Sequence, residues 1–334
     1  MKDVNELRNM STIEICREFY EGFGADMIHN CFPEYEKRIA VGLVGEGSEC
    51  FGFDDPISRD HDFGLGFCMW LNKEDYAAIG EQLQKAYHQL ILREGIRLAT
   101  RIWGPSASIY NPRIDQRRGV MEIASFYGGI LKIRPDLELI LDKHYWLYAE
   151  ERWIATAVNG AVFRDDEGTF TRVRESILSY YPQKIFLFKL AEQLHLFSHG
   201  GQSNYPRMMA RKDIITSALC IQQTVNSAMT IAYMLNHAYT PYYKWMRKGL
   251  EQMPVLSEMI PLLEKLVSLP VQSEVWEGKT YSATQVNMED QVIQTIEEIA
   301  ELIVRELNRQ GIITGRERFL ESYVPVIAQK AGSL

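Results

Sequence analysis

From Gly45 to Gly64 the chain reads Gly-Glu-Gly-Ser-Glu-Cys-Phe-Gly-Phe-Asp-Asp-Pro-Ile-Ser-Arg-Asp-His-Asp-Phe-Gly. A polar loop leaves a Gly-Ser pair and ends on Asp60-x-Asp62. In a strand, residues i and i+2 project from the same face, so Asp60 and Asp62 would stand side by side at a strand end. Two adjacent carboxylates repel one another unless a cation intervenes. A hard divalent ion with oxygen ligands, Mg2+ above all, answers that repulsion. Gly47 has no side chain, so its backbone can approach a ligand closely. Ser48 offers a hydroxyl and an N–H of the kind that holds a phosphate. The chemistry suggested is metal-assisted handling of a phosphorylated ligand.

These residues need elements to hold them. Ser11-x-x-Glu14 has capping-box form and opens a helix running to about Asn30. Ile39 to Val44 is a short apolar run rich in β-branched residues, read as a buried strand that delivers the Gly-Ser pair. His61 to Leu71 is expected to be the next strand, followed by a helix capped at Asn72 and reaching about Arg93. Ile96 to Trp103 and Gly119 to Phe126 are further strand candidates, with Leu131 to Ile133 as a possible fragment of another. Beyond Pro135 apolar residues recur three or four apart near 143–158, 171–181, 184–199, 211–237, 255–268 and 288–310. In the last of these, Asn287 is the expected N-cap and Gly311 the residue just past the C-terminus. The expected fold class is α+β: a small mixed-sheet domain, then an all-helical bundle, with the boundary near 135–142.

Composition narrows the function classes. Of 334 residues, 46% are hydrophobic and 24% charged, the balance of a folded globular chain. Lys and Arg total 36 against 44 Asp and Glu, for a net charge of -8. That balance disfavours a dedicated nucleic-acid binder, whose affinity comes from neutralising phosphates. No apolar run approaches the roughly 18 residues that span a bilayer, and the N-terminal residues lack a signal-peptide core. Five scattered cysteines without a CxxC pair suit neither a disulfide framework nor a zinc site, so a reducing cytoplasm is expected. P-loop and dinucleotide-binding glycine motifs are absent from the sequence.

The strand, Gly47-Ser48, an eleven-residue gap and Asp60-x-Asp62, with Gly52 completing Gly-Ser-x-x-x-Gly, resemble the signature of the polymerase-beta-like nucleotidyltransferase superfamily. The fuller string through Gly64 looks like an uncharacterised branch related to the kanamycin and aminoglycoside nucleotidyltransferases. Two departures stand out: relatives usually carry Ser before the first Asp and an apolar residue between the two, where this chain has Arg59 and His61. The resemblance implies a catalytic domain over 1–138 and a helical bundle over 139–334. It implies transfer of a nucleoside monophosphate, AMP from ATP being the expected case, to an acceptor hydroxyl by a two-metal mechanism. A third carboxylate is then needed from a neighbouring strand, and Glu122, charged in an apolar stretch, is the choice; Asp136 and Glu138 are its rivals. The competing explanation of Glu122 is an ion pair with Arg117 or Arg118. Lys244, in Tyr242-Tyr-Lys-Trp245, is the candidate cation reaching the nucleotide phosphates, and Arg59 a second, unless Asp55 pairs with it. The implied cofactor is Mg2+. The implied partners are a nucleoside triphosphate and a small-molecule or protein acceptor; nucleic acid is less favoured, no membrane is implied, and a homodimer through the helical half stays open.

Other residues have plainer readings. Asp54 and Asp55 suit the turn before Pro56, and Glu46 and Glu49 are either support for the site or part of an exposed turn. His29 with His61-Asp62 loosely resembles the metal phosphohydrolases, but Phe63 to Trp70 is too glycine-broken for the helix they need. His195 and His199 share a helix face. Met208, Met209, Phe186, Phe188 and Phe197 read as core. The alternative to an enzyme is a non-catalytic nucleotide-sensing or interaction module that retains the fold.

Overall fold

The structure is a computed structural model that describes residues 2–58, 64–105, 117–133, 143–282 and 286–332. The fold is α+β. The chain divides into two compact units, Met1–Ser179 and Tyr180–Leu334.

The first unit is built on a four-stranded mixed sheet of order β3-β2-β1-β4. Its strands are β1 (Ala40–Leu43), β2 (Cys68–Leu71), β3 (Gly119–Glu122) and β4 (Ala161–Arg164). β1 runs antiparallel to β2 and β4, whereas β2 and β3 are parallel. The two-residue period sorts side chains to two apolar faces. Phe67, Met69 and Leu71 join Phe19, Leu83 and Tyr87 in one core. Trp70 points the other way, stacked on Phe170 with centroids 3.9 Å apart and edge-on to Phe126.

β4 lies where only helices were expected, and it explains why the units divide at Ser179/Tyr180 and not near 138. Its place beside β1 depends on two glycines. A Cβ on Gly42 would sit 2.5 Å from the Ala161 carbonyl oxygen, and one on Gly160 only 1.9 Å from that of Leu43.

Several elements follow the local sequence code. Ser11 and Glu14 exchange the reciprocal bonds of a capping box before the helix Thr12–Phe19. The Asn72 side chain accepts the Asp75 N–H at 2.8 Å and starts the helix Lys73–Leu90. Others differ from expectation. Ile96–Trp103 is a helix, not a strand, continuing from a π-helical turn at Ile91–Gly95. The buried residues are Leu98, Ala99 and Ile102, a helical spacing that the alternation of Ile96 and Leu98 disguises. Arg8 closes its C-terminus by donating to the carbonyls of Arg101 and Ile102. Among the described residues of the expected second strand only Cys68–Leu71 is a strand; residues 61–63 lie outside the described residues. The run from Gly119 is a strand only to Glu122 and then becomes the helix Ile123–Leu131, which also absorbs the start of the expected Leu131–Ile133 fragment.

The second unit is helical, with Gln183–Phe197, Ile214–Leu235, Tyr243–Leu250, Ile260–Ser268, Gln291–Arg309 and Val324–Ala331 as its main helices. The N-cap of Gln291–Arg309 is Asp290 and not Asn287. Asp290 is fully buried and also accepts from Tyr205 Oη at 3.0 Å and Trp276 Nε1 at 2.8 Å. Phe186, Phe197 and Met209 are core residues as expected, but Phe188 is 44% exposed. Among the described residues no helix is long and apolar enough to cross a membrane.

Candidate functional site

The site is assembled where β1 ends. Gly45 is buried with φ +122, and Asn159 pins it: the Gly45 N–H donates to Asn159 Oδ1 and Asn159 Nδ2 donates back to the Gly45 carbonyl, both at 2.8 Å. This amide acts as one more rung of the β1–β4 ladder. Gly47 follows at φ +125, a backbone conformation that favours glycine. Ser48 is half-buried and opens a 3-10 turn over Glu49–Phe51, its carbonyl accepting from Phe51 N at 3.1 Å and Phe53 N at 2.9 Å. Gly52, left-handed at φ +69, ends the turn. Asp54 accepts from Thr12 Oγ1 at 2.6 Å, and Asp55 exchanges hydrogen bonds with Ser58, so both hold the turn as read from sequence.

The open side of Gly47 is already used. A Cβ there would lie 2.6 Å from both carboxylate oxygens of Glu49. Glu49 is 4% exposed and pairs with Arg118, 5% exposed, at 2.6 Å. Arg118 also donates to the Gly64 carbonyl. Cys50, Cys68 and Tyr87 lie in the same interior; burial pushes the Cys50 thiol up, the Cys68 thiol up to about 12, and the Tyr87 phenol up. Those groups are therefore neutral at physiological pH, and the thiols are poor nucleophiles. Beside the turn, Gly45, Glu46, Arg117, Ser125 and Phe126 help line a cavity of about 540 Å³, and of these Arg117 and Glu46 are ion-paired, Nε to Oε2, at 3.5 Å.

A family model described as a domain of unknown function (DUF4037) matches residues 146–246. The match spans Asn159 and β4 of the first unit and runs into the second, ending just after Trp245. No curated protein and no solved structure matches the chain.

The expected site residues fare differently. Asp60, Asp62, Arg59 and His61 lie outside the described residues, as do Asp136 and Glu138. Gly47 and Ser48 form the turn at the β1 end. Glu122 is not brought to that turn. Its carboxylate caps the helix Ile123–Leu131, accepting from Ala124 N at 3.1 Å, Ser125 N at 2.7 Å and Ser125 Oγ at 2.5 Å. Glu122 is opposite Leu71 while Gly119 and Gly42 are level with Cys68, so it lies about 13 Å along the strands from the end of β1 at ~3.3 Å per residue. The helix it caps then returns Ile130 to Gly45. Nor is Glu122 paired with Arg118, which serves Glu49.

Lys244 is exposed on the helix Tyr243–Leu250 of the second unit, its ammonium 4.9 Å from the Trp245 ring centroid. His195 and His199 stack at 5.2 Å, and His195 Nδ1 meets the Glu321 carboxylate at 2.9 Å, an acidic neighbour that local spacing did not reveal. Among the described residues no three His, Cys, Asp or Glu side chains are grouped to hold a metal ion. The Glu49–Arg118 pair was the feature sequence reasoning missed. Its signal was a Glu two residues after a turn glycine, and an Arg directly before an apolar strand.

Proposed function

We propose that this protein is a nucleotidyltransferase of the polymerase-beta-like kind, transferring a nucleoside monophosphate, AMP from ATP in the first instance, to an acceptor hydroxyl. The observation that carries the reading is the order β1, Gly47-Ser48 turn, antiparallel β2, beside a cavity large enough for a nucleotide. Exposed parts of the turn, with Ser48, suit the triphosphate. Arg117, which lines the cavity beside Glu46, is a candidate phosphate partner in addition to Arg59.

The described carboxylates alone do not make a magnesium site: Glu122 is spent on a helix cap and Glu49 on Arg118. In this reading Asp60 and Asp62 hold the Mg2+, which when bound supplies neutralisation of the triphosphate charge. The acceptor is a small molecule or a protein before a nucleic acid, given the acidic balance of the chain, and the compartment is the cytoplasm.

One observation favours the second reading, a nucleotide-sensing module without transfer. Glu122, the expected third carboxylate, caps the helix Ile123–Leu131 about 13 Å along the strands from the turn, at ~3.3 Å per residue. Pyrophosphate release from each nucleoside triphosphate, with Mg2+ and mixtures of candidate acceptors, separates the two. Release that depends on acceptor and disappears in Asp60→Asn supports the enzyme. Saturable ATP binding without any release favours the sensor, and neither binding nor release removes both.

A further inference from the structure

We propose that Arg118 is the positioning residue of the Gly47-Ser48 turn, acting through Glu49. The proposal rests on the reading of that turn as a phosphate-binding element, but its structural half can be tested without it. One guanidinium holds two pieces of chain: the Glu49 carboxylate at 2.6 Å in the turn, and the Gly64 carbonyl on the approach to β2. Arg118 is itself anchored at the start of β3, where the next amide, Gly119, donates to the Phe67 carbonyl at 3.0 Å. Three chain segments therefore meet on one planar, directional donor group.

Stability alone does not explain such a pair. Taking two charges out of water costs so much that well-packed apolar side chains of similar volume are often as stable or more so. What a fork-shaped guanidinium adds is direction. Glu49 held by Arg118 fills the space that Gly47 leaves, and that contact fixes how far the turn can close on β1. The other ionisable groups facing the pair, Cys16, Cys50, Cys68 and Tyr87, are buried and held neutral, so no second anion competes with Glu49 for the guanidinium.

The test uses the full chain and three forms: wild type, Arg118→Lys, and the double variant Glu49→Met/Arg118→Met, in which flexible apolar side chains replace both charges. Hydrogen exchange is read at Phe51, Gly52 and Phe53, whose amides bond within the turn, and at the amides of β1 and β2. ATP binding with Mg2+ is titrated in parallel. The expected result is exchange in the turn about tenfold faster in the double variant with the sheet unchanged, ATP affinity lowered by a similar factor, and partial recovery of both in Arg118→Lys. Turn amides as protected as in wild type would overturn the proposal. So would equal acceleration in turn and sheet, which is a purely structural role. If wild type binds no ATP, the functional reading falls, and the positioning role is judged by the exchange result alone.

Discussion

The two ends of β3 solve the same problem in opposite ways. Each places a charged side chain against a short apolar strand, and two residues, Val120 and Met121, separate Gly119, next to Arg118, from Glu122 at the other end. At the first end the charge is buried and answered by a distant carboxylate, 69 residues away in the chain. At the second the charge is half-buried and answered locally by the first N–H groups of the helix that follows. A nonlocal pair ties segments together, whereas a cap stabilises its own helix. The contrast teaches that a lone carboxylate in an apolar stretch marks a catalytic site only after helix capping has been excluded.

The largest expected effect comes from breaking the buried pair on one side. Arg118→Met strands the Glu49 carboxylate and should cost about 3–5 kcal/mol in denaturant unfolding, with Glu49→Met/Arg118→Met losing much less. A single variant no less stable than the double one would remove the distinction between the two strand ends. Next is Gly47→Ala, where the new methyl meets the Glu49 carboxylate at a left-handed φ; a loss of about 2 kcal/mol is expected, smaller when the same change is made in the Glu49→Met/Arg118→Met background. Smaller still is Glu122→Ala, which removes the cap and should cost about 1 kcal/mol, whereas Glu122→Asn should restore most of it. On this account Glu122→Asn also leaves ATP affinity unchanged; a large loss of binding would return Glu122 to the site.

A third placement of a carboxylate gives the mildest effect. Burial holds the Glu297 pKa above its ordinary value, opposed by the amide of Gln202 and the charge of Arg318. A carboxylate whose folded pKa is raised binds protons more tightly when folded, so its destabilising effect is absent below the ordinary Glu value and grows as pH rises toward the folded one. Glu297→Gln should therefore raise the melting temperature slightly at pH 7 and leave it unchanged near pH 4. A difference that shrinks with rising pH would reverse the sign of this argument.

What could be read from the sequence was local. The Ser11 capping box, the Asn72 cap and the β-branched run of β1 each carry their signal within a few residues. So does the Asp55 turn before Pro56. Ile96–Trp103 misled because two apolar residues alternating over three positions fit both periods, and burial of Ala99 and Ile102 decides only in three dimensions. Glu122 misled because the last residue of a strand and the N-cap of the next helix are the same position in the chain. β4 was hidden because its apolar run, Ala161-Val162-Phe163, is only three residues long and half-buried, in a stretch otherwise flanked by helical patterns. Its partner β1 lies far upstream. The Glu49–Arg118 pair, like the Asn159 amide on Gly45, joins positions that no window of sequence holds together.

The central claim is that the turn after β1 and the aspartates beyond it bind a nucleotide with its metal. Equilibrium titration of ATP against the full chain, with and without Mg2+, in wild type and in Asp60→Asn/Asp62→Asn, tests it most directly. The account predicts saturable, Mg2+-dependent binding by wild type that the double variant loses. Binding that is absent in wild type, or identical in the two proteins, would contradict it.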